Sequence, residues 1–197
     1  LGYRLPRDIP DDVIAKLFEV IGSHLRDRTM FTLMLHAGLR VGELTQLRLS
    51  DVRLSGEHTP FLRLNGKGGQ ERVVYLSSTA AQLLDEYLGE RPQDGPEPIF
   101  LNYQEQPISV TGIQRRLAHY CSQADIWLTC HQLRHTYASR MVAADVPITS
   151  VQKLLGHSSI YTTQLYVRVA DSKVEKDYHA ALARLTKGSM PGKETAP

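Results

Sequence analysis

FLRLNGKGGQERVVYL, residues 61–76, is the stretch on which the fold class turns. FLRLN and RVVYL read as strands, and the Asn65-Gly66 pair between them is typical of a hairpin turn. The reading is one antiparallel hairpin, with a possible third strand over residues 52–54. No other segment reads as sheet. Upstream, DDVIAKLFEVI sets Val13, Ile14, Leu17, Phe18 and Ile21 at helical spacing, behind two aspartates that suit the positive end of a helix dipole. A more apolar helix follows over 25–37, with Gly38 where a left-handed helix end favours glycine, and a short helix begins near Arg40. Downstream, helices are expected over 79–89, 109–124, 131–144, 147–155, 161–166 and 173–187. The Pro- and Gly-rich RPQDGPEP, residues 91–98, is expected as a surface loop. The fold class is therefore mostly α with a small antiparallel β-sheet (α+β).

Composition agrees with one globular domain. At 197 residues, 42% apolar and 22% charged, the chain can bury a sizeable core, which excludes disorder, collagen and coiled coil. No apolar run approaches the roughly 20 residues of a membrane span, so the expectation is a soluble protein with no membrane partner. Two cysteines, Cys121 and Cys130, are too few for a disulfide framework and lack metal-ligand spacing, which points to a reducing, cytoplasmic compartment. The balance of 23 basic against 21 acidic residues leaves the partner open. Because the chain starts at Leu1 rather than Met, it is expected to be a piece of a longer protein, with 188–197 as a disordered tail.

Four places hold residues able to carry chemistry. In HQLRH, residues 131–135, helix geometry sets His131 and Arg134 about 60° apart on one face, beside an apolar stripe of Leu133, Tyr137 and Met141. Taken alone, this is equally a satisfied histidine and a surface arginine. His131 and His135 have the spacing of two zinc ligands on a helix, but Gln132 stands where the hydrolytic motif needs glutamate, so no metal is expected. In AGLRVGEL, Arg40 and Glu43 are three apart; the carboxylate either orients a phosphate-binding fork or makes an ordinary surface ion pair. Lys67 sits at the hairpin tip, where a lysine is ordinarily just solvated, and its surroundings do not form a P-loop. His157, in LGHSS, precedes Tyr166 by nine residues.

In this order AGLRVGEL, NGKGG, HQLRHTYAS, LLGHSS and TTQLYVRV resemble the catalytic domain of the tyrosine recombinases, the phage-integrase and Xer-like site-specific DNA recombinases. The resemblance implies that fold over residues 1–187 and an N-terminal core-binding domain absent from this chain. It implies that Arg40 and Arg134 clamp the non-bridging oxygens of a scissile phosphate, that His157 donates to the same group, and that Tyr166 is the nucleophile. His131 is then the base, Lys67 the acid that protonates the departing 5′ oxygen, and Glu43 an orienting group. No cofactor or metal is implied. The implied partners are double-stranded DNA at a specific recombination site and copies of the same chain in a synaptic tetramer, coupled through the helix over 173–187. Arg40, Lys67 and Arg134 would bind DNA, as would Arg115 and Arg116, placed opposite a stripe of Val110, Ile113 and Leu117 unless they merely solvate a helix face. Two alternatives stand beside this: a type IB topoisomerase, and a DNA-binding module of the same fold without chemistry.

Overall fold

A computed structural model describes residues 8–56, 58–65, 71–92, 95 and 97–156. Within them lie α1 (Asp11–Ile21), α2 (Leu25–His36), α3 (Val41–Gln46), β1 (Val52–Arg53), β2 (Phe61–Asn65), β3 (Glu71–Tyr75), α4 (Ser78–Glu90), α5 (Val110–Gln123), α6 (Cys130–Ala143) and α7 (Ile148–Leu155), with a 3-10 turn at Leu49–Asp51. The elements agree with the sequence expectation to within one or two residues at each end. Lys67, the helices expected over 161–166 and 173–187, residues 1–7 and the tail over 188–197 lie outside the described residues.

Helix α2 is the hub of the core. Met30, Phe31, Leu33, Met34 and Leu35 are all buried, so the second half of the helix is enclosed on several sides. It packs against α4 and α6. Its polar side chains are satisfied internally, Thr29 donating to the carbonyls of Leu25 at 2.8 Å and Leu83 at 3.1 Å. The helix stops at a residue chosen by two constraints. Gly38 has φ +66°, and a Cβ there would lie 2.7 Å from Cε1 of the buried Tyr137 ring of α6. Glycine thus lets the chain turn left-handed directly beneath α6 and deliver Arg40 to the N-terminus of α3.

The sheet has the order β1-β2-β3, antiparallel throughout, with Leu62 opposite Val74 and Leu64 opposite Arg72. Strand alternation buries Leu62, Leu64 and Val74 on one face. Arg72 shares that inner face, toward α7, which packs against β3.

Two expectations need correction. The Arg91–Pro98 connection is more than a surface loop. Arg91 is 5% exposed and its guanidinium donates to the carbonyls of Pro98 and Ile99, while Leu49 N–H donates to Glu97 O and Ile99 N–H to Leu47 O. The buried arginine closes the segment on its own main-chain oxygens, and the two main-chain bonds tie it to the chain leading into β1. On α5 the buried stripe is Ile113, Leu117, Tyr120 and Cys121, with Val110 left exposed in the first turn. Among the described residues no helix is long and apolar enough to cross a membrane.

Gly38→Ala is expected to destabilise the fold by about 1–2 kcal/mol for the left-handed backbone and by about 1–3 kcal/mol for overpacking against Tyr137. Urea unfolding measures this, and an unchanged midpoint would contradict the geometry.

Candidate active site

Glu43 sits one turn into α3 and gathers cations from three separate segments. Its Oε1 accepts from Arg40 Nη1 and Arg72 Nη1, both at 2.8 Å. Its Oε2 accepts from the Arg40 main-chain N–H and from Arg72 Nη2, again at 2.8 Å, with Arg134 Nη1 3.7 Å away. The carboxylate's four acceptor positions are thereby filled. It holds the Arg40 and Arg72 guanidiniums in place with those bonds.

The same three guanidiniums share a second partner. Arg72 Nε donates to Leu154 O at 3.0 Å, Arg134 Nη2 to Leu155 O at 2.7 Å, and Arg40 Nη2 to Gly156 O at 3.2 Å. Three consecutive carbonyls at the end of α7 therefore each take one arginine. These are oxygens that a helix leaves without intrahelical partners, at the negative end of its dipole, so cations settle there. Arg134 also donates to Gly38 O, just past the end of α2.

Sequence reasoning foresaw Arg40 and Glu43 together but expected Arg134 on an open face with His131. Instead His131 is exposed and Arg134 is buried, its side chain 7% accessible, because the orphan carbonyls of two helix ends draw it inward. Arg72 was missed as a site residue. The signal was present: with Val74 and Leu76 facing inward, strand alternation puts Arg72 on the same side. His157, the next residue after Gly156, lies outside the described residues, as do Lys67 and Tyr166.

His131 and His135 differ in environment, the first exposed and the second buried. His135 has its Nδ1 3.4 Å from an Asp8 carboxylate oxygen and 3.5 Å from Ser139 Oγ, and burial pulls its pKa below the ordinary value. Gln132 completes a capping box with Thr129, accepting from the Thr129 main-chain N–H at 2.9 Å. Both cysteines are free and buried, and burial pushes the Cys130 thiol up to about 11, which keeps it unreactive.

Arg115 is exposed on α5, as expected, but Arg116 is not opposite the apolar stripe. Its Nε lies 2.7 Å from the Oδ2 of Asp27, a carboxylate 1% exposed that also takes Arg26 at 2.7 Å and the Tyr120 hydroxyl at 2.9 Å. Tyr103 covers this cluster, its ring centroid 4.7 Å from the Arg26 guanidinium and 5.8 Å from that of Arg116. A buried carboxylate must be paired, and Arg116 is one of the residues that pair it.

Replacing Arg115 by alanine should change stability by no more than about 0.5 kcal/mol. Arg116→Ala should cost about 1.5–3 kcal/mol, the range for hydrogen bonds to a charged group; equal effects in urea unfolding would refute the assignment. Acid should expose Glu43. Burial pushes its pKa up, but bonds from Arg72 and Arg40 outweigh burial and hold it below the ordinary 4.5. The unfolded chain then binds the proton first, so this stabilisation is complete above about pH 4.5 and is lost as pH falls through the lowered value. The stability difference between the wild type and Glu43→Gln should shrink below about pH 4.5 when denaturant midpoints are compared.

Comparison with known proteins places these motifs in a family. The profile of the Phage integrase family matches residues 7–173. Tyrosine recombinase XerD of Staphylococcus epidermidis is 39% identical over 160 residues, covering 78% of this chain and 53% of that protein. Tyrosine recombinase XerC of Actinobacillus pleuropneumoniae serotype 7 is 36% identical over 188 residues, covering 92% of this chain and 60% of that protein. The crystal structure of XerA recombinase superposes with a TM-score of 0.76 at 26% identity, over 91% of this chain and 66% of that one. The chain thus spans between half and two thirds of the length of these relatives. With the motifs in order, the fold matched and the profile covering most of its length, the chain belongs to the phage integrase family, in the company of the tyrosine recombinases.

Proposed function

We propose that this chain is the catalytic part of a site-specific DNA recombinase, cutting and rejoining strands through a 3′-phosphotyrosine on Tyr166. The observation that carries the reading is the convergence of Arg40, Arg72 and Arg134 on one carboxylate and one helix end. A phosphodiester resists attack because its oxygens are negative and its leaving alkoxide is poor, so catalysis needs charge neutralisation and proton transfer. Arg40, with 41% of its side chain accessible, faces the non-bridging oxygens from the solvent side, and Arg134 supports the same charge from below. His131, exposed on the first turn of α6, is the base for the Tyr166 phenol, whose ordinary pKa is about 10. His157 donates to the phosphate and Lys67 protonates the 5′ oxygen. The phosphotyrosyl ester keeps the energy of the broken bond, so religation to another strand needs neither ATP nor Mg²⁺. Strand exchange is preferred to topoisomerase-type relaxation because XerD and XerC are tyrosine recombinases by name.

The remaining parts of the reading concern the whole protein. Residues 1–187 form the catalytic domain, with 1–10 as a linker to a further DNA-binding domain that completes a clamp on the duplex. The exposed Arg115 adds a phosphate contact that positions the DNA without reading its sequence. The segment over 173–187, expected from the sequence as a helix, is read as packing on a neighbouring protomer in a tetramer on paired sites.

A pool of nicked suicide duplexes with a randomised central sequence tests the chemistry. The wild type should trap a subset as SDS-stable adducts, whose sequencing identifies the site. Tyr166→Phe should bind the recovered duplex but form no adduct, and normal cleavage by this variant would overturn the assignment. Arg40→Ala should slow single-turnover cleavage by about 10²–10³-fold, with a much smaller loss of affinity, because charge is greater in the transition state than in the ground state.

A further inference from the structure

We propose that Arg72 is a positioning residue that sets the charge of the site: it neutralises Glu43 so that the positive charges of Arg40, open to solvent, and of Arg134, buried beneath it, are left for the phosphate. The inference rests on the recombinase reading above. Three guanidiniums around one carboxylate leave a surplus of two positive charges. A phosphodiester carries one negative charge, and its five-coordinate transition state approaches two. Without Arg72 the surplus falls to one, which matches the bound ground state rather than the transition state. Glu43 would then draw on Arg40 alone, the residue most open to substrate.

The geometry separates Arg72 from Arg40, the most solvent-open of the three arginines. Its side chain is 10% accessible against 41% for Arg40, and it grips both carboxylate oxygens in a two-pronged bond at 2.8 Å. Its Nε is held by Leu154 O, and Gly156, at φ +61°, leaves it room: a Cβ there would lie 2.8–3.0 Å from the Arg72 side chain. Stability alone does not explain an arginine here. The position faces inward opposite the buried Leu64, where an apolar residue would pack, and a buried ion pair such as Arg72–Glu43 is often no more stabilising than apolar residues of similar volume in place of both partners. Both hydrogen-bonding prongs are spent on Glu43, so the cation acts through its neighbour.

The test uses the nicked duplex recovered from the randomised pool, with single-turnover cleavage measured at saturating protein beside thermal melting and a binding titration. Arg72→Met should melt below the wild type, because it strips a buried carboxylate of one partner, but at a temperature where both are fully folded it should bind DNA with similar affinity and cleave about 10²-fold more slowly, the order of losing one transition-state charge. Arg72→Lys, which keeps the charge but not the fork, should retain most of the rate. Adding Glu43→Gln to Arg72→Met restores two uncancelled charges and should recover at least about a tenth of the wild-type rate, a tenfold gain being 1.36 kcal/mol in the barrier. A purely structural role predicts instead that the rates of these variants, measured well below every melting temperature, are all alike. Wild-type cleavage by Arg72→Met overturns the proposal, as does an equal loss in Arg72→Lys with no relief from Glu43→Gln. Failure of the wild type itself to trap any duplex overturns the recombinase reading instead.

Discussion

One carboxylate holds the site together. Glu43 accepts four hydrogen bonds, three from the guanidiniums of Arg40 and Arg72 and one from the main chain of Arg40, with Arg134 close by. Each of those arginines arrives on a different element: the turn into α3, strand β3 and helix α6. The placement of α2, the left-handed turn at Gly38 and the inward face of β3 can all be seen as conditions for bringing three like charges within reach of one another. Three cations repel. They are tolerable in a half-buried place because Glu43 and the carbonyl end of α7 lie between them.

A second carboxylate cluster makes the comparison instructive. Asp27, near the start of α2, takes Arg26 and Arg116, while Glu43 lies beyond the end of the same helix. The Asp27 cluster is covered by Tyr103 and serves to pair a buried charge. The Glu43 cluster has a larger surplus of positive charge and leaves Arg40 open to solvent. Similar residue types thus give a covered strut in one place and a cluster with a solvent-open arginine in the other, and the difference lies in stoichiometry and cover.

Much of the fold was legible in the sequence because it rests on local rules. Helical spacing in α1, the apolar run of α2 with Gly38 behind it, and the Asn-Gly pair between two strands all depend on neighbouring residues. The site was legible where its members are close in sequence, as with Arg40 and Glu43. It was less so where tertiary context decides. Nothing local says that Arg134 turns toward the ends of α2 and α7, or that Arg116 belongs to Asp27, 89 residues away. Arg72 is an intermediate case: its inward face follows from strand alternation, but its partner does not.

The end of α7 supplies its share of the arginine cradle entirely from peptide carbonyls. Leu154, Leu155 and Gly156 contribute oxygens that every amino acid possesses, so no side-chain exchange at these positions deletes them. An alanine scan would therefore record this helix end as packing only. Its electrostatic contribution belongs to the peptide backbone itself, and it becomes visible only when that backbone is edited, for example by replacing an amide with an ester and weakening one carbonyl as an acceptor.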